Sequence, residues 1–248
     1  MAAVWLTIAL SSAICAFAEE ARGAEASPPP DVVRAEVRAI VARLKAAAEN
    51  DEAELSKATV GADAAVLGAL AVLSDRSPYR DLPWHGRGTA LAHQAKETGA
   101  MVAGDGADHR RRLNQAVGRI VQIIAPTKNA PHGEAIKLAD AAPRPGLMWR
   151  MDRTLKLVRE QVTSGEQLNR QAAQVAHETA LLQSMAEFIG DAGYEFTDDE
   201  EFQQLRRALA RHADAMATAA KTGDVERLQM HRTAARESCK ACHRVFRN

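Results

Sequence analysis

Residues 237–246 read ESCKACHRVF and hold two of the chain's three cysteines, three apart, with a histidine directly after the second. Two thiols at that spacing suit three chemistries. They can form a redox dithiol, supply half of a four-ligand zinc site, or make thioethers to the two vinyl groups of one haem. In the last case the adjacent imidazole lies under the iron as a proximal ligand. On a helix, Cys239 and Cys242 are i and i+3 and His243 is i+4 from Cys239, so all three share one face. That face runs back through Ala235 and Leu228 to Val225 and forward to Phe246, a core stripe that points the motif into a bundle.

The rest of the chain separates the three. Zinc normally takes four ligands, and no second cysteine pair exists to complete a site. A dithiol of the thioredoxin kind sits at a strand-to-helix junction, and no strand is expected here. A Cys239–Cys242 disulfide explains neither His243 nor the helix. A single covalently bound haem c, with His243 as metal ligand, is therefore the favoured reading.

The start of the chain agrees with it. Val4 to Ala18 is an apolar run of signal-peptide length ending in Ala16-Phe17-Ala18, a small-x-small cleavage pattern. Residues 1–18 are expected to be removed on export to the periplasm, and Cys15 with them. Both remaining cysteines then belong to the motif. Ser11 and Ser12 interrupt the run, which is too short to span a membrane comfortably.

What positions the motif is helical. The chain is rich in Ala, Leu, Arg, Glu and Gln and poor in aromatic and β-branched runs, which favours an all-α fold. Basic and acidic residues balance at 32 each, so nothing points to nucleic acid. Helices are expected at Val32–Glu49, Ala53–Leu73, Thr89–Val102 and His109–Ile124, then at Leu147–Val162, Glu166–Ile189, Asp199–Lys221 and Val225–Phe246. Asp224 is a natural N-cap for the last. Residues 125–145 hold four prolines and read as a linker between a first bundle at 31–124 and a second at 146–248. The expected architecture is two tandem four-helix bundles, the second carrying the haem.

The halves look like one unit written twice. An offset of 115 residues pairs Leu67 with Leu182, Tyr79 with Tyr194, Met101 with Met216 and Leu113 with Leu228. The motif then falls opposite Ile124, Thr127 and Lys128, so the first half has no CxxCH. Its last helix carries Leu113, Val117, Ile120, Val121 and Ile124 instead, an aliphatic filling for a haemless core.

Residues 147–248 resemble the cytochrome c′ group, four-helix-bundle class II cytochromes c with CxxCH near the end of the fourth helix. "CKACHRVFR" is close to that group's tail, and Arg247, four after the histidine, matches its usual basic residue beside the haem propionates. The resemblance implies a periplasmic bacterial protein that carries electrons or binds small gases, often as a homodimer. The extra half could occupy the dimer surface as an internal partner.

Two functions follow, a one-electron carrier serving a redox partner protein and a five-coordinate module for gases such as NO or CO. A third reading is a structural helical protein with an oxidised CxxC. No Walker, Rossmann or Ser-His-Asp pattern is present, so no enzyme activity is expected. The side of the iron opposite His243 faces the stripe Met148, Met151, Leu155 and Val158. Met151 is the expected sixth ligand, Met148 and Met185 are the alternatives, and Leu155 would leave the iron open. The other histidines, His212 and His231 among them, show no ligand spacing. Arg110-Arg111-Arg112 is expected to be a solvated face. Trp84 and His85 are expected to close over the first bundle.

Overall fold

A computed structural model describes residues 28–49, 57–101, 107–126 and 133–247. Residues 1–18, Cys15 included, lie outside the described residues. So do the expected first turn of the second helix and Val102. The described chain forms nine α-helices and no strand. The first half supplies α1 (Pro30–Glu49), α2 (Lys57–Ser74), α3 (Gly88–Ala100) and α4 (Ala107–Ile124). A single short turn, α5 (Leu138–Ala141), lies inside the expected linker. The second half supplies α6 (Arg144–Gln161), α7 (Gly165–Phe188), α8 (Glu200–Thr222) and α9 (Val225–Phe246).

Helix ends follow local chemistry. Ser164, Asp199 and Asp224 cap α7, α8 and α9, each side chain accepting from a backbone N–H three residues on. Gly223 closes α8 with φ of 72°, a left-handed conformation glycine adopts without steric cost. In each half, consecutive helices pack as neighbours and the fourth returns to the first, giving two four-helix bundles.

The repeat seen in the sequence has a structural counterpart. Tyr79 is fully buried and donates its hydroxyl to Pro28 O, just before α1 (2.9 Å). Tyr194 is buried and donates to Ala142 O, just before α6 (2.6 Å). Each tyrosine ties the loop after its bundle's second helix to the start of the first. In the first half α4 turns Leu113, Val117 and Ile120 into the core, as expected, but Val121 is 43% exposed and belongs to the outer face. Trp84 is buried in the same core, and His85 Nδ1 lies 2.7 Å from Ser74 O, so this pair does close the bundle. Arg111 and Arg112 are exposed, and Arg111 pairs with Asp108.

The two bundles share one apolar core. Helix α2 is long and apolar enough to cross a membrane, yet most of its surface is buried against its own bundle, α5 and α6. Such a helix, apolar on nearly all sides, is the centre of a large core. Small residues let α2 approach: a Cβ on Gly146 of α6 would meet Ala65 Cβ at 2.6 Å, and one on Gly68 would meet Ala141 O at 2.0 Å. Gly68→Ala is therefore expected to destabilise the protein by about 1–3 kcal/mol, because a backbone carbonyl has to move. Gly118→Ala, with nothing within 4 Å of the added carbon, should be neutral or slightly stabilising. Urea denaturation of the two variants checks the contrast; equal midpoints would contradict the close approach of α2 to α5.

Candidate functional site

The second bundle opens where its first and last helices diverge. Helices α6 and α9 touch little, while α8 packs closely on both α7 and α9. Between them lies a cavity of about 1330 Å³. That is larger than the ~300–1,000 Å³ common for ligand pockets and suits a macrocycle. Cys239, Cys242 and His243 line it from α9, Met148, Met151 and Leu155 from α6, and Arg247 from the end of the chain. Five expected site residues (Cys239, Cys242, His243, Arg247 and Met151) thus meet at one cavity. Met185 is also fully buried but does not line it, so it leaves the set of candidate ligands. Val158 is likewise buried and does not line the cavity.

The motif's chemistry follows from its surroundings. Cys239 and Cys242 are both free and half-buried. Burial pushes the Cys239 thiol up to about 11, and burial also raises Cys242. Both are therefore protonated at neutral pH and poor thiolate nucleophiles, the opposite of an activated redox dithiol. Burial together with the Arg247 and Arg236 charges lowers His243, which keeps its imidazole neutral, the form that binds a metal. Among the described residues no three His, Cys, Asp or Glu side chains gather around a metal-sized point, so a conventional zinc site finds no support.

Arg144, in the first turn of α6, was not singled out by sequence. Its guanidinium lies 5.4 Å from the centres of the Tyr194 and Phe202 rings and 5.8 Å from that of Phe196. Cation–π attraction holds it there. One of its amino groups donates to Glu195 O, but its Nε is buried at the cavity with no partner. A buried cationic donor left open at a cavity wall fits an anionic group such as a propionate. Phe196, Phe202 and Phe246 pack ring to ring at 5.2–6.4 Å and seal that end. Phe196 does so with φ of 65°, an uncommon conformation for an aromatic residue that the packing has to sustain. The signal available in the sequence was weak: an arginine before Pro145, and aromatic residues in an otherwise aromatic-poor chain.

The volume, the two thiols, the neutral imidazole and the open cation together fit a haem. Cys239 and Cys242 would hold it covalently, His243 would ligate iron, and Arg144 and Arg247 would meet its carboxylates. His212 and His231 are elsewhere on α8 and α9. Both are half-buried, and they are neighbours, with Nδ1 atoms 3.2 Å apart. Burial and the nearby His231 and Arg211 charges keep His212 low.

Comparison with known proteins agrees with this geometry. No curated protein and no solved structure matches the chain. The family model described as cytochrome C′ matches residues 141–247, from the end of α5 through α9. That span holds the motif and all of the cavity's lining residues except Ala139 and Asp140, and the first bundle lies outside it. Residues 141–247 therefore form a helical bundle similar to the cytochrome C′ family.

Proposed function

We propose that the protein is an exported, periplasmic monohaem c-type cytochrome that carries single electrons to or from a redox partner protein, and that it is not an enzyme. The family supports a c-type cytochrome. The observation that carries the finer reading is the wall opposite the motif, where two thioethers, Met148 and Met151, line the cavity. When bound, haem supplies one-electron chemistry at its iron. The chain's own part is to hold and tune it. A thioether on iron favours the reduced state and raises the potential. Met151 is 3% exposed and Met148 only half-buried, so Met151 is the better shielded of the two.

Leu155 on the same wall favours a second reading, a five-coordinate module for NO or CO, if it and not a methionine covers the iron. Optical and near-infrared spectra of the haem-loaded chain separate the two. The expected result is a low-spin ferric spectrum with a methionine-to-iron charge-transfer band, lost in Met151→Ala and kept in Met148→Ala. A high-spin ferric wild type would exclude ligation by either methionine and establish the gas-binding geometry.

A further inference from the structure

Helix α6 has two buried faces. One, through Met148, Met151 and Leu155, lines the cavity. The other carries Arg150, which is 3% exposed and sits one residue from Met151. Glu178 of α7 holds the Arg150 guanidinium with both oxygens, at 2.5 and 2.9 Å. Arg150 also donates to the Thr154 hydroxyl at 3.0 Å, and that hydroxyl donates to Glu178 at 2.9 Å. The second carboxylate on Arg150 comes from the first half of the chain: Glu36 Oε1 of α1, at 3.4 Å.

Glu36 is itself fixed from three directions. Arg43 donates to Oε1 at 3.0 Å and His177 of α7 lies 3.0 Å from Oε2. Arg43 in turn grips Asp63 of α2 with two bonds of 2.8 Å. Asp63, Arg43, Glu36, Arg150 and Glu178 form an alternating chain of charge, buried at Asp63, Glu36 and Arg150 and half-buried at Arg43 and Glu178, that joins α2, α1, α6 and α7. Such networks are geometrically demanding, because a misplaced member leaves a buried charge unpaired. Rotation of α6 about its axis is the motion they forbid. A turn of roughly 20° would move a side-chain end about 5 Å from the axis by about 2 Å. Metal–ligand distances tolerate only about 0.2 Å.

We propose that the haemless first half is a fixed brace for the haem pocket, and that Glu36 is a positioning residue which, through Arg150, sets the α6 wall opposite His243. The inference rests on the haem reading above and assigns the extra bundle a role in it. Glu36 does not touch the cavity; it acts through the orientation of its neighbour's helix.

The test uses the full haem-loaded chain and imidazole as an added sixth ligand. Glu36→Gln removes the charge at nearly constant shape, and Glu36→Asp keeps the charge but shortens its reach. Both are expected to change imidazole affinity about tenfold and to alter the ferric spectrum, while the exposed Glu160→Gln leaves both unchanged. A perturbation by Gln alone would mean a through-space charge effect and would overturn positioning. Unchanged affinity in both Glu36 variants would do the same. If neither folds, His177→Ala removes one hydrogen bond from Glu36 without unpairing a buried charge, and should shift affinity in the same sense by a smaller factor; no shift there overturns the proposal. A wild-type chain without covalent haem would instead sink the haem reading itself, before any variant is compared.

Discussion

Haem is expected to remain with the wild-type chain through denaturing electrophoresis and to be absent from Cys239→Ser/Cys242→Ser. In thioether formation each S–H adds across a vinyl double bond: sulfur bonds one carbon, hydrogen goes to the other, and no electron is left over. A serine hydroxyl does not do this under the same conditions. Each single variant should keep one bond and stain weakly, and His243→Ala should impair attachment and lose the proximal ligand. Staining of the double variant equal to wild type, or haem extracted from wild type by acid–acetone, would contradict covalent attachment. The effect is close to all-or-none. It should also be structural, because Met148, Met151, Leu155 and Phe202 would then face a cavity of about 1330 Å³ with nothing to pack against.

The second large effect concerns Glu36. Burial by itself would raise this carboxyl, but the His177 hydrogen bond and the Arg150 and Arg43 guanidiniums outweigh burial and hold it down at about 2, against an ordinary 4.5. A carboxylate whose folded value is depressed stabilises the fold above its unfolded value and loses that contribution as pH falls toward the folded one. The shift corresponds to about 3 kcal/mol. This should be fully present above pH 4.5, more than half gone by pH 3, and nearly exhausted at pH 2. Glu36→Ala is expected to cost about 3–5 kcal/mol at pH 7, since it leaves Arg150 and Arg43 short of a buried partner. Denaturant titrations at pH 7 and pH 3 check both statements: the gap between wild type and variant should narrow markedly at the lower pH. A gap independent of pH would place the stabilisation elsewhere.

The same network bears on the division of the chain. In the sequence the four prolines of residues 125–145 read as a linker between the two bundles. In the structure α5 forms inside that stretch and packs on α2, and α6 packs on α2 as well as on its own bundle. A fragment beginning near Ala141 would expose that face of α6 and leave Arg150 without Glu36. It is expected to be less stable than the whole chain, by an amount comparable to the Glu36 substitution.

The sequence by itself determined whatever depends on near neighbours along the chain. Helix periodicity, the Asp224 cap, the Gly223 stop and the i, i+3, i+4 spacing of Cys239, Cys242 and His243 are all local, because backbone hydrogen bonds and helical faces repeat within a few residues. The CxxCH motif was therefore legible, as were eight helices to within a few residues. Tertiary structure decided what depends on distant partners. Glu36 meets residues 114 and 141 positions away, and a charged residue on a helix carries no local mark of whether it will be solvated or buried against its counter-ion. Arg144 needed the Tyr194, Phe196 and Phe202 rings around it before its open Nε meant anything. Met185 and Met151 look alike as buried methionines, and only the divergence of α6 from α9 placed one at the cavity and left the other in the core. Spacing selects the face of a helix, but what that face meets is settled by packing, where volume and buried charge must be satisfied across the whole chain at once.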